Sequence, residues 1–150
     1  MPARFGHVNL IARDWRTLAD FYIRVFGCTW LDPERDLEGE WLSRGTGVEE
    51  AALRGVHLRR PGHGPRGPTL EIFSYRTTLP REGEHLANRV GFGHIAFTVD
   101  DVAACVRELL AAGGSLAGEI VSHEVAGVGV LVFVYARDPE GNLLEIQSWS

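Results

Sequence analysis

Four residues of two chemical types occur in the sequence as a repeated pair. His7 and His94 each follow Phe-Gly, while Glu71 and Glu145 each lie in a Leu-Glu-Ile-x-Ser motif. Imidazole nitrogens and carboxylate oxygens, without thiolates, suit a divalent ion, and four such ligands leave two octahedral positions for water or substrate. A closed structural zinc site would more often use cysteine. The pattern predicts one divalent ion per site (Ni, Co, Zn, Mn or Fe), bound by these four residues.

The repeat extends over the segments that carry these residues. Residues 5–27 and 92–114 share Phe, Gly, His, Asp and Gly at matching positions, and TLEIFSY at 69–75 matches LLEIQSW at 143–149. A lone strand histidine or glutamate is more often structural than functional. A duplicated fold, however, has no packing reason to retain both types at matched positions twice, so the repeat favours a shared polar centre.

Each half is predicted to form a strand, a helix and then three strands. In the opening strand Val8 and Leu10 alternate with His7 and Asn9, which gives one packing face and one polar face. Asp14 and Asp101 occupy N-cap positions before residues at helical spacing, and glycines at 27 and at 113–114 end those runs. The later strands are predicted at 39–44, 51–60 and 68–75, and at 117–124, 128–136 and 142–149.

The same alternation predicts residues beside the ion. Asn9, Phe73, Thr98 and Gln147 share strand faces with the four ligands, so we expect them to line a substrate pocket. His57 is either a further pocket contact or acid, or a plain half-exposed strand histidine.

Composition excludes several functional classes. The 150 residues are 45% hydrophobic and 23% charged, which is typical of one globular domain, and the net charge of -5 is spread along the chain. No basic patch for nucleic acid is visible, no apolar run reaches the roughly 20 residues that a membrane helix needs, and no secretory signal opens the sequence. Cys28 and Cys105 form no disulfide framework. We expect a cytoplasmic protein with a small-molecule partner.

The motifs GHVNLIARDWRTLADFY, TLEIFSY, GHIAFTVDD and DPEGNLLEIQSW resemble the vicinal oxygen chelate superfamily, which includes glyoxalase I, methylmalonyl-CoA epimerase, extradiol dioxygenases and drug-resistance proteins. The resemblance implies an α+β fold of two βαβββ modules that form a cupped, mixed eight-stranded sheet with helices outside, in a homodimer. One domain would then span 1–150, with modules at 4–76 and 91–150 and a linker at 77–90.

The ligand set is similar to that of the glyoxalase I and epimerase branch. That resemblance implies a metal-dependent isomerase or lyase, which removes a proton next to a carbonyl while the metal stabilises the enediolate. Glu145 is then the catalytic base and Glu71 its partner. Ile11 stands where bacterial glyoxalase I has an arginine for glutathione, so glutathione is not implied. The alternatives are a small-molecule or antibiotic binding protein of the resistance type and a metal-dependent dioxygenase.

Overall fold

The chain folds as an α+β protein. The computed structural model describes residues 2–150, and these form three helices and nine strands in two sheets. Two compact units are present: the chain up to Ile23 with Gly27–Pro80, and Arg24–Phe26 with Arg81–Ser150. The predicted α+β class is confirmed.

The first unit contains a four-stranded sheet. Its elements in chain order are β1 (His7–Ile11), α1 (Trp15–Phe26), β2 (Thr29–Glu38), α2 (Glu40–Thr46), β3 (Ala52–Arg59) and β4 (Thr69–Tyr75). The strands lie in the order β1-β4-β3-β2. β1 is parallel to β4, and the other neighbours are antiparallel. The strands that open and close the module therefore lie side by side.

The second unit repeats this plan with five strands. Its elements are β5 (Ile95–Thr98), α3 (Val102–Ala111), β6 (Ser115–Leu116), β7 (Val121–Val125), β8 (Gly129–Arg137) and β9 (Leu143–Trp149). The order is β5-β9-β8-β6, with β7 also paired to β8. β5 is parallel to β9, so the second module also places its opening strand beside its closing strand. The strand predicted at 117–124 is shorter in the structure, where β7 begins at Val121, and the two-residue β6 lies before the predicted range.

The helix boundaries follow the predicted caps. The Asp14 carboxylate accepts hydrogen bonds from the backbone N–H groups of Arg16 and Thr17, and each N···O distance is 3.1 Å. At the other end of α1, Gly27 adopts a left-handed φ of 68°, where glycine is favoured because it has no Cβ. Asp101 accepts from the backbone N–H of Ala104 over 2.8 Å and caps α3 in the same way.

Each sheet has one face of buried aliphatic side chains. In β3 and β4 these alternate with the site residues, as the period of two requires. The largest fully buried residues of the two units include Leu18, Tyr22, Val56, Leu58, Leu70, Ile72, Leu109, Val134, Leu144 and Ile146. This burial fixes which face of each strand remains available for a polar site.

The predicted strand at 39–44 is wrong. The structure has the helix α2 there, and the strand comes earlier, as β2. β2 contains Pro33 and five charged residues in TWLDPERDLE. These residues interrupt the alternation of apolar and polar residues by which a strand is predicted. β2 lies at the sheet edge, where proline and charge are tolerated because one side of the strand makes no ladder hydrogen bonds. α2 buries Leu42 and leaves Trp41 exposed.

Both cysteines are buried free thiols, in agreement with the prediction that no disulfide framework is present. Burial raises the pKa of Cys28 to about 11. Burial, and then the charge of Glu108, raises the pKa of Cys105. Burial and a raised pKa both disfavour the thiolate, the reactive form, at these two positions. Within residues 2–150, no helix has both the length and the apolar character needed to cross a bilayer.

Candidate metal centre

The first candidate pair lies on the polar face of the first sheet. β4 runs between β1 and β3 in a register that places Asn9 and His57 on either side of Glu71. Asn9 Nδ2 donates a hydrogen bond to Glu71 Oε1 over 2.8 Å. His7 Nε2 lies 3.6 Å from Oε1, and His57 Nε2 lies 2.7 Å from Oε2. Three side chains named from the sequence thus surround the carboxylate of Glu71.

His57 is partly buried and contacts the candidate ligand Glu71; its predicted role as a pocket contact or acid stays a prediction. Its Nδ1 lies 2.9 Å from the hydroxyl oxygen of Thr69, and its ring meets that of His7 edge to face with centroids 5.8 Å apart. Burial lowers the pKa of His57, although the charge of Glu71 acts in the opposite direction. The neutral imidazole is therefore favoured at this position.

The second candidate pair lies on β9 and immediately before β5. His94 Nε2 is 3.0 Å from Glu145 Oε2. Tyr135 pairs with Glu145 across β8 and β9, and its ring packs on that of His94 with centroids 4.8 Å apart. Burial, and then the Glu145 charge, raises the pKa of Tyr135, so the phenol keeps its proton.

The other residues predicted to line the pocket occupy different surroundings. Phe73 is buried and packs in a hydrophobic cluster with Leu42 and residues 51 and 53. Gln147 is paired with Thr98 in the β5–β9 register, and its Nε2 donates to the Thr98 hydroxyl over 3.4 Å. A role for these three residues in substrate binding stays a prediction.

Sequence reasoning missed two residues that contact the site. Tyr135 pairs with Glu145 across β8 and β9, just as His57 pairs with Glu71 across β3 and β4. Alternation along β8 assigns Tyr135 to a sheet face, but the pairing that sets it opposite Glu145 is seen only in the structure. Thr69 could not have been found, since its contact with His57 depends on side-chain rotamers.

The donors of each module fit half of a divalent-ion site. An ion bound at about 2.1 Å to nitrogen and oxygen in octahedral geometry keeps neighbouring donor atoms about 3 Å apart. The His94–Glu145 pair matches this spacing, and the His7–Glu71 pair is looser. Across the described residues 2–150, no group of three or more His, Cys, Asp or Glu side chains is arranged to hold an ion. Each module alone therefore supplies two candidate ligands and not a complete site.

Known proteins match this chain over most of its length. The chain is 27% identical over 149 residues to the uncharacterized protein YaeR of Escherichia coli, covering 93% of this chain and 92% of that protein. A glyoxalase family protein from Bacillus cereus has a TM-score of 0.82 at 22% identity, covering 99% of this chain and 95% of that chain. A variant of glyoxalase I from Zea mays has a TM-score of 0.62 at 24% identity, covering 96% of this chain and 44% of that chain.

The solved structures share the fold at low identity, and the family is shown by the sequence itself. The sequence model that matches residues 4–146 is that of the Glyoxalase/Bleomycin resistance protein/Dioxygenase superfamily. The chain belongs to the Glyoxalase/Bleomycin resistance protein/Dioxygenase superfamily.

Proposed function

We propose that the protein is a divalent-metal-dependent isomerase or lyase of the glyoxalase type, acting on a small carbonyl compound. The observation that carries the proposal is the repeated pairing of an imidazole nitrogen with a glutamate carboxylate on the polar sheet face, at 3.6 Å for His7 and Glu71 and 3.0 Å for His94 and Glu145. We further propose that these four residues hold one ion, either within one chain or between the two chains of a homodimer.

The carboxylates provide the acid-base chemistry of this proposal. Glu145 takes the proton from the carbon next to the carbonyl, and Glu71 is its partner in the other module. When bound, a divalent ion acts as a Lewis acid towards the negative charge that develops on the substrate oxygens. Glu71 and Glu145 have side chains only 12% and 15% exposed, so bulk water competes little for their oxygens.

A cavity in the second module gives room for a small substrate. It measures about 360 Å³ and is lined by Tyr135, Phe133, Leu143 and Arg137 among others. Glu145 is not among the lining residues, but Tyr135, which is, pairs with Glu145 across β8 and β9; this pairing supports the cavity as part of the proposed substrate pocket. This volume is at the lower end of ligand pockets and supports a small molecule as the partner.

The proposal is tested by deuterium exchange at the carbon next to the carbonyl. Protein loaded with Ni²⁺ or Co²⁺ is incubated in D₂O with a panel of small ketones and thioesters, and exchange is followed by NMR. We expect Glu145→Gln to reduce exchange by about 10²- to 10⁴-fold, the usual contribution of a positioned base. Glu124→Gln, at an exposed strand position, is the matched control.

Three outcomes would contradict this function. Exchange that is unchanged in Glu145→Gln would reject the proposed base. Metal-dependent oxygen uptake in place of exchange would identify a dioxygenase, and tight binding of a drug without exchange would identify a sequestering protein of the resistance type.

A further inference from the structure

The two modules match in their proposed ligands but differ in the residues beside each glutamate. Glu71 is flanked by Asn9 on β1 and by His57 on β3. The equivalent neighbours of Glu145 are Ala96 on β5 and Tyr135 on β8. The alanine side chain has no polar group. The two modules therefore differ at the positions that pair directly with their glutamates.

Both carboxylate oxygens of Glu71 have a nitrogen partner. Asn9 Nδ2 donates to Oε1 over 2.8 Å, and His57 Nε2 lies 2.7 Å from Oε2. A nitrogen lone pair facing a carboxylate at this distance would be repelled, so Nε2 carries the hydrogen. The Thr69 hydroxyl, 2.9 Å from Nδ1, then donates to the other ring nitrogen. This arrangement gives both nitrogens of the His57 ring a partner and fixes its orientation.

Glu145 has no such support. Among the side chains of residues 2–150, its carboxylate meets the nitrogen of its proposed co-ligand His94 at 3.0 Å, and no amide or second histidine holds it as Asn9 and His57 hold Glu71. Tyr135, in the position equivalent to His57, packs its ring against His94 instead. The first module therefore supports its glutamate, and the second module supports its histidine.

We propose that His57 and Asn9 are positioning residues that hold the Glu71 carboxylate in a fixed orientation as a metal ligand, a support that the Glu145 carboxylate lacks. This inference rests on the proposed function, because it concerns the same ion site. The inference therefore gives different surroundings to two glutamates that the sequence repeat makes equivalent.

The first test is the affinity of the purified protein for Co²⁺, measured by calorimetry without any substrate. Loss of a residue that orients a metal ligand typically weakens metal binding by 10- to 100-fold, and we expect that range for His57→Leu. His57→Gln should restore most of the affinity, because its amide N–H reaches a position close to that of Nε2. His123→Leu, an exposed strand histidine, should bind Co²⁺ like the wild type.

The second test asks whether His57 acts through Glu71. Residues that act through one contact give non-additive effects in a double-mutant cycle. His57→Leu should therefore cause no further loss of Co²⁺ affinity in a Glu71→Ala background, but its full 10- to 100-fold loss in a Glu145→Ala background. Circular dichroism of every variant checks that the fold is intact.

The outcomes separate this inference from the proposed function. Wild-type affinity in folded His57→Leu, or a full additional loss in the Glu71→Ala background, would overturn the positioning role while leaving the ion site intact. A wild-type protein that binds no divalent ion would overturn the proposed function and this inference with it.

Discussion

Glu71 is a charged residue in an apolar part of β4. The residue as a whole, backbone included, is 9% exposed, and its neighbours Leu70 and Ile72 are fully buried. A buried carboxylate is strongly unfavourable unless polar groups pair with it, and here Asn9, His57 and His7 do so. The presence of three polar neighbours explains how this strand keeps a glutamate where packing alone would select an aliphatic residue.

Gly55 is the residue that lets β3 lie close enough to β4 for His57 to reach Glu71. It pairs with Phe73, and an added Cβ would overlap the carbonyl oxygen of Ile72 and the ring of Phe73. We expect Gly55→Ala to lower the free energy of unfolding by about 1–3 kcal/mol, as overpacking usually does, measured by urea denaturation.

Gly45→Ala is the matched control for that substitution. Gly45 lies inside α2, and an added Cβ there meets nothing within 4 Å. Alanine should stabilise this position by about 0.5–1 kcal/mol, because glycine loses more backbone freedom in a helix. A Gly55→Ala protein that is as stable as the wild type would show that β3 and β4 separate at no cost.

At the scale of elements, the strands that carry the site were largely predictable. The predicted strands at 51–60 and 68–75 correspond to β3 and β4, because their aliphatic residues alternate with polar ones. β2 was not predictable from alternation, since Pro33 and the charged residues of this edge strand hide the pattern. Strand pairing was also beyond the sequence: it determines that Asn9 and His57 flank Glu71, and no residue type specifies a register.

The N-cap of α1 makes a pH-dependent contribution to stability. Hydrogen bonds from the Thr17 hydroxyl and backbone, and from the backbone N–H of Arg16, lower the pKa of Asp14. The folded state therefore favours the carboxylate. We expect Asp14→Ala to reduce the free energy of unfolding by about 0.5–2 kcal/mol at pH 7, as measured by urea denaturation.

The pH dependence has a definite sign. Because the folded pKa of Asp14 lies below the unfolded value, its ionic contribution is present above about pH 4 and is lost as the pH falls through the folded pKa. The stability difference between wild type and Asp14→Ala should shrink at pH 3. Asp14→Asn, which remains a good cap, should stay near the wild type at pH 7. A difference that grew on acidification would contradict this role.

For the whole molecule, the repeat is visible both in the sequence and in the two compact units. The sequence predicted two histidines and two glutamates as ligands, because matched chemical types at matched positions have no packing explanation, and it left the role of His57 open. The repeat aligns Ala96 with Asn9, but only the strand pairing shows that these two residues, and Tyr135 and His57, lie beside the glutamates. The repeat therefore predicts where the site is, and the pairing shows how its halves differ.

The central claim is that both modules contribute ligands to one ion. Calorimetric titration of the metal-free protein with Co²⁺ should give one ion per chain. Replacement of His7, Glu71, His94 or Glu145 by alanine should each weaken binding by more than about tenfold, the least that loss of a supporting residue brings. Alanine at His123 or Glu124, an exposed pair on β7, should leave the titration unchanged. Absence of Co²⁺ binding, or binding that is insensitive to the residues of either module, would contradict the account.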